Sequence, residues 1–456
     1  MSVLDKLPQG IRPAFAFKHV NTAITLYKGE LEFSGAFPEP IAGDSTITWK
    51  WLPKVGPRFQ ADVNDVHELG SSNSVRVAVP GQVPVSTLVS STQGLKAGTI
   101  TGMLPQLVIG DGASLDRLIF HVPNFVNYIG SLIRNTTKNA VNSRTGRLSL
   151  SAGGWQVHID NLPDTKEKIK SLKAEGGYGI THIGILKRKD SSRFAYSEAR
   201  EILDAIGYFL TFLRGFWSQP ILAVGQRSEI DNNRANSDYA ETLTVAERKR
   251  LDPWRTVQSW FSKFIADEMP TLFRKFWRKW QNPAENQVLR EVIGTYLEAN
   301  GKVSLQSQIV LAQVGLETMA YEVLTDAQGN EPSGSAEDKI SSLLKKQGTP
   351  DGIPNQLSKL SHLSKESILK DNPPDPDLNG PQTIVRIRNA LVHSKRAKRH
   401  KRQKLNTDHY KEAWQLSLWY LELVLLAWLG YEGKYSCRLK QGFEGDLDYV
   451  PWSPSP

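Results

Sequence analysis

The first two hundred residues alternate apolar and polar positions at the short period of a β-strand. Segments 21–35 (NTAITLYKGELEFSG), 45–52 (STITWKWL), 74–81 (SVRVAVPG), 117–126 (RLIFHVPNFV) and 147–160 (RLSLSAGGWQVHID) are rich in β-branched and aromatic residues, and Gly, Pro, Asn and Ser punctuate them. Residues 178–190 read as a further strand, and 221–226 (ILAVGQ) return to the sheet. So many short strands predict an antiparallel sandwich or barrel-like domain. The glycines of 176–184 (GGYGITHIG) precede no helix, so they fit a hairpin turn better than a phosphate loop. One helix is predicted over 196–215, capped by Ser197, with a stripe of Ala199, Ile202, Ile206, Leu210 and Leu213.

From about residue 241 the apolar period lengthens to that of a helix. Residues 253–280 are crowded with aromatics and broken at Pro270. Helices are predicted over 284–299, 304–325, 335–347, 381–396 and 408–431, the last capped by Thr407 or Asp408. Residues 371–380 (DNPPDPDLNG) read as a polar loop and 448–456 as a tail. The order, strands before helices, predicts an α+β multidomain chain. Its parts are a β-rich N-terminal domain (1–240), an aromatic-rich helical connector (241–283) and an all-α helical bundle (284–456). Phe273, Trp277 and Trp280 repeat at helical spacing opposite Arg274, Lys275, Arg278 and Lys279. That pattern predicts a core stripe with a solvated face.

Composition narrows the class. A 39% hydrophobic fraction with 12 Trp, 16 Phe and 13 Tyr supplies material for buried cores in a chain of 456 residues. The single cysteine, Cys437, excludes a disulfide within the chain and a cysteine-based zinc site. The opening MSVLDKLPQG has no basic region ahead of an apolar one, so no secretory signal and a cytoplasmic location are expected. The most apolar stretch, 413–429, is short for a bilayer span and carries Gln415 and Glu422, so it reads as a buried helix. His158 and His182 fall in predicted strands, while His19, His67, His121 and His362 lack ligand spacing. No G-x-S-x-G, Walker A or H-E-x-x-H motif is present. Neither metal nor cofactor is expected.

Charge is the sharper signal. The net charge is +9, and residues 386–404 hold nine Lys or Arg and no Asp or Glu. One segment thus accounts for the whole imbalance and points to a polyanion, nucleic acid first. Within it, VRIRNALVHSKRAKRH (385–400) sets Arg388 and Asn389 ahead of His393. RNA carries its own nucleophile, the 2′-hydroxyl. His supplies proton transfer near neutral pH. Arg offers a permanent cation with a planar fork suited to phosphate, and Asn can orient the imidazole. On a straight helix Asn389 and His393 share a face, whereas Arg388 and His393 stand about 140° apart. A distorted helix or a second copy of the chain must therefore bring Arg388 and His393 to one phosphate. Arg386 with His393, and Arg402 with His409, show the same pairing with six residues between. Arg388 is preferred because Asn389 follows it and because Ile384, Ile387 and Leu391 place it on a packed helix.

The form Arg-Asn-x-x-x-His, set between helices, resembles the signature of the HEPN superfamily of ribonucleases over roughly residues 285–435. The resemblance implies metal-independent transesterification with Arg388, Asn389 and His393 as catalytic residues. It implies a homodimer whose motifs face each other. The basic tract, with Arg386, Lys395, Arg396, Lys398, Arg399, Lys401 and Arg402, is expected to hold the RNA backbone, and Glu317, on an otherwise apolar helix, either supports the site by lining it or binding Arg388, or is a partly exposed Glu. A β-rich region ahead of such a domain is similar to the ApeA-type architecture of anti-phage defence. That analogy implies an abortive-infection effector that cuts host RNA, tRNA among the candidates, once a phage-derived trigger releases it. Two alternatives stand beside it: a non-catalytic RNA-binding or scaffolding protein with a degenerate HEPN domain, and a HEPN toxin silenced by a cognate antitoxin.

Overall fold

The computed structural model describes residues 3–35, 37, 39–64, 74–93, 97–136, 141–228, 239–370, 376–440, 442–443 and 445–454. His67, residues 371–375 of the polar loop and the last two residues of the tail lie outside them. The chain divides into two compact units. The first holds the described residues up to Leu210 with Trp217–Thr256, and the second Thr211–Phe216 with the described residues from Val257 onward.

The first unit begins with a six-stranded closed barrel of β1 (Ile24–Ser34), β2 (Ile41–Lys50), β3 (Gly56–Asn64), β4 (Ser74–Ala78), β5 (Val85–Gln93) and β6 (Ala97–Met103), in the order β1-β2-β3-β6-β5-β4. Period-two alternation builds it. Phe59, Ala61 and Val63 of β3 and Val75 and Val77 of β4 point inward onto Leu31, Ile47 and Trp49. Closure pairs the strand edges of this barrel.

The barrel is followed by an eight-stranded antiparallel sheet: β7 (Gln106–Gly110), β8 (Arg117–Pro123), β9 (Ser131–Thr136), β10 (Val141–Ala152), β11 (Trp155–Asn161), β12 (Ile180–Arg188), β13 (Ile221–Ser228) and β14 (Tyr239–Glu247). Its order is β7-β14-β13-β8-β12-β11-β10-β9. The expected run 147–160 is a hairpin of β10 and β11, turned by Gly153 and Gly154 at φ of 56° and 80°. Two positive φ values in a two-residue loop suit the strand twist. The glycines at 176 and 177 are not the hairpin that the sequence suggests. They end helix α1 (Thr165–Glu175), which the strand pattern did not reveal, and lead into β12. A Cβ on Gly177 would stand 1.9 Å from Oδ1 of Asn21, which accepts from the Tyr178 amide at 2.7 Å.

Helix α2 (Tyr196–Arg214) matches the predicted span, but Ser197 lies inside it. Glu198 instead accepts from the Ala195 amide at 2.8 Å, satisfying one orphan donor of the first turn. On the sheet face that carries His121, the N-terminal segment 8–17 crosses the strands as a strap. Gly10 donates to Arg134 of β9, Ile11 donates to Asp160 of β11 at 2.9 Å, and Phe15 and Phe17 pack on His121 of β8.

The second unit is helical: α3 (Met269–Gln281), α4 (Pro283–Ala299), α5 (Leu305–Leu324), α6 (Ala336–Lys346), α7 (Ser358–Leu363), α8 (Gly380–Val392), α9 (Arg396–Gln403) and α10 (Thr407–Trp428). It also carries a ribbon of β15 (Lys434–Tyr435) and β16 (Asp448–Tyr449), so the unit is not wholly helical. Pro270 opens α3 instead of breaking a helix, because a first-turn residue needs no amide donor. Phe273, Trp277 and Trp280 are buried in the core, as their spacing predicts. Asn406 caps α10 in a reciprocal box with His409, displacing Thr407 and Asp408 from that role.

Helix α10 is buried from Leu416 to Leu426, and no described helix is long and apolar enough to cross a membrane. Glu422 sits fully buried within it. Arg438 meets its carboxylate with Nε at 2.7 Å and Nη2 at 2.5 Å, and Tyr296 of α4 donates to it at 2.7 Å.

Two predictions come from this arrangement. Breaking one half of a buried ion pair strands the other. Arg438→Met should therefore cost about 3–5 kcal/mol in urea unfolding, and adding Glu422→Leu should restore part of the loss. In the sheet, burial pulls the imidazoles of His121 and His158 down to about 4 and that of His182 to about 3, from 6.5. Below 6.5 the unfolded chain takes up protons that the folded chain refuses, so stability is full above that pH and is lost as pH falls. The melting temperature should drop between about pH 7 and about pH 5, with each histidine contributing up to roughly 1.4 kcal/mol per unit of pH.

Candidate functional site

Helix α8 carries the motif. Asn379 caps it in a reciprocal box with Gln382, and Pro381 stands in its first turn. Ile384, Ile387 and Ala390 are buried and fix which side faces the core. Gln313 of α5 donates its side-chain amide to the Ile384 carbonyl at 2.7 Å, which registers the two helices. One turn further along α5, Glu317 lies on the same face as Gln313. Its carboxylate accepts from Nη2 of Arg388 at 2.9 Å. Nη1 of Arg388 donates to Oδ1 of Asn389 at 3.2 Å, and its Nε is buried without a partner among the described residues. The guanidinium is thus held from two sides while 23% of the side chain stays exposed.

The apolar stripe ends with Leu391, and so does the reason for the helix to continue. The predicted helix over 381–396 is accordingly shorter: it stops at Val392, and a separate α9 begins at Arg396. His393 is the residue that leaves the helix, at φ −96° and ψ 130°, with its amide still donating to the Asn389 carbonyl at 3.2 Å. Its side chain is exposed and makes no hydrogen bond or ion pair among the described residues. Arg388, Asn389 and Glu317 are therefore gathered in one cluster. His393 stands at the helix end beside them, outside that hydrogen-bonded cluster.

The cationic residues divide into two groups. Arg386 is turned to the protein, donating Nε to Glu337 at 3.2 Å and Nη1 to the Leu369 carbonyl at 3.2 Å. Lys401 donates to the Leu369 and Lys370 carbonyls at 3.3 Å, and Arg402 to the Leu391 carbonyl at 3.4 Å. These contacts tether α9, which buries none of its own residues. Lys395, Arg396 and Arg399 are exposed and have no hydrogen-bond or ion-pair partner among the described residues, and Lys398 is half-buried. No group of three or more His, Cys, Asp or Glu residues suited to a metal occurs among the described residues. Glu337, which clamps Arg386, escaped sequence reasoning because it lies 49 residues away on another helix.

Comparison with known proteins gives matches to two family models. Residues 110–249, which hold most of the eight-stranded sheet, match the YopA central domain, and residues 282–448, which hold Glu317 and the whole of α8 and α9, match the YopA C-terminal domain. No solved structure matches the chain. A relative, the SPbeta prophage-derived uncharacterized protein YopA of Bacillus subtilis (strain 168), is 29% identical over 469 residues, covering 97% of this chain and 98% of its own. The chain is thus similar to that protein along nearly its full length, barrel included.

Proposed function

We propose that the helical unit is a HEPN-type, metal-independent endoribonuclease, and that the chain serves as an effector in conflict between phage and host. The observation that carries the reading is the end of α8. There a guanidinium is fixed by Glu317 and Asn389, an imidazole without a partner among the described residues follows at the helix end, and a cationic helix with no buried residues comes next.

In the proposed reaction the neutral His393 imidazole takes the proton of a ribose 2′-hydroxyl. The 2′-oxygen then attacks the adjacent phosphorus. Arg388 stabilises the charge that builds on the phosphoryl oxygens. The 5′-oxygen leaves with a proton from water or from a second imidazole, and a 2′,3′-cyclic phosphate remains. Lys395, Arg396 and Arg399 hold the RNA backbone by counterion release. A homodimer brings the motif of one protomer against that of its partner, which supplies His393 to an Arg388 that does not touch it within one chain. The prophage in the relative's name supports the phage setting. In this reading the β-rich unit restrains the nuclease until a trigger arrives.

One observation favours a second reading, an RNA-binding protein without catalysis: Arg388 is already ion-paired to Glu317. A single experiment separates the two. Purified protein in EDTA should cleave RNA, and His393→Ala should lower the rate by about 10²–10⁴ while leaving RNA binding in place. Binding without cleavage by either form favours the second reading, and cleavage that survives the substitution removes His393 from the mechanism.

A further inference from the structure

The strap of residues 8–17 does not lie flat on the sheet. Between the two is a cavity of about 640 Å³ on one side of residues 9–13 and a second of about 430 Å³ on the other. The larger is floored by alternate residues that share one face: Arg117 and Ile119 of β8, Ile185 and Lys187 of β12, and His158 of β11. Strands β8, β11 and β12 are neighbours, and Ile185 pairs with both Ile119 and His158, so the apolar floor is continuous.

The strap is anchored where the two cavities meet. Arg147 forks onto the fully buried Asp160 with Nε at 2.7 Å and Nη2 at 2.8 Å. The same Nη2 donates to the Gln9 carbonyl at 2.8 Å, and Asp160 accepts from the Ile11 amide. This pair is self-neutralising and rigid.

Other cations around the larger cavity are not neutralised. Arg117 donates Nε to Gln226 at 2.7 Å and lies over the Tyr239 ring at 3.3 Å, with no carboxylate bound. Arg12 and Lys187 have no hydrogen-bond or ion-pair partner among the described residues. The one acidic lining residue is Glu241, which is exposed. Three such cations against one carboxylate leave two positive charges over an apolar floor. The field is felt by His158: burial, and then the charges of Arg147 and Lys187, hold its imidazole neutral.

We propose that this cavity binds a small organic phosphate with an apolar or aromatic body, of the nucleoside monophosphate class, and that the strap is the wall that encloses it. Two positive charges match a phosphate monoester, which carries about −1.5 to −2 near neutral pH. The Arg117 guanidinium, pre-set by Gln226 and Tyr239, offers Nη1 and Nη2 to phosphate oxygens. Ile119, Ile185 and Pro13 supply an apolar bed for a base, and the volume falls in the range of ligand pockets. The site is independent of the ribonuclease reading, since all its residues belong to the β-rich unit.

The test is calorimetric titration of the full chain with AMP, GMP, CMP and UMP, beside adenosine and inorganic phosphate. At least one nucleotide should bind saturably with Kd below about 1 mM, more tightly than adenosine or phosphate alone. Lys187→Glu and Arg12→Glu change exposed residues and should leave the melting temperature unaltered while weakening that binding tenfold or more, as should Arg117→Ala. Absence of saturable binding by all four nucleotides overturns the proposal. So does nucleotide binding that Lys187→Glu and Arg12→Glu leave unchanged.

Discussion

A charge removed from water must meet its opposite with good geometry or cost several kcal/mol. In each unit one buried carboxylate–guanidinium fork meets this demand, and much else is arranged around it. In the helical unit Glu422 sits in the middle of α10, fully buried, and is tolerated there because Arg438 and Tyr296 bind both its oxygens. Arg438 lies beyond the end of α10, so the same contact pins the chain after that helix against the bundle. In the β-rich unit Asp160 and Arg147 form the equivalent fork, and its spare hydrogen bonds fasten the N-terminal strap to the sheet. In both cases an ion pair that contributes little net stability of its own specifies where an irregular segment must lie.

The candidate nuclease site inherits its precision from that core. With α10 fixed, α5 packs along it, and Gln313 of α5 registers α8 by one buried hydrogen bond. Glu317, one turn on, then aims Arg388. The guanidinium is fixed by packed helices, while His393 occupies the one position where α8 gives way to extended backbone. In the proposed reaction the rigid cation of one protomer meets the exposed imidazole of its partner.

Much of this was legible in the sequence where period and packing agree. The helices corresponding to α2, α4, α5, α6 and α10 were predictable within a few residues, and β1, β2, β4, β8, β10, β11, β12 and β13 in outline, because their apolar positions repeat at the period of the element they form; β3, β5, β6, β7, β9 and β14 did not stand out. Glu317 stood out as an acidic residue on an apolar helix, with pairing to Arg388 as one of its open readings. Other features left no local trace. Helix α1 is short and polar among strands, so the strand pattern masked it. Pro270 read as a break because a proline interrupts a helix everywhere but in its first turn, which is where α3 places it. The predicted extension of α8 to residue 396 failed because no apolar residue stands between Val392 and Ala397. Arg386 and Lys401 were read as cations that hold RNA, yet their partners, Glu337 and the carbonyls of Leu369 and Lys370, are brought in by tertiary folding alone.

The reaction proposed for Arg388 and His393 runs through the 2′-hydroxyl beside the scissile phosphodiester. The most direct measurement is the chemistry of the ends left on a defined RNA strand, beside the same strand carrying a single 2′-deoxy residue at the cut. A 2′,3′-cyclic phosphate facing a 5′-hydroxyl is expected on the first strand, and no cut at that position on the second. Ends bearing a 3′-hydroxyl, or scission that ignores the missing 2′-hydroxyl, would contradict that reaction.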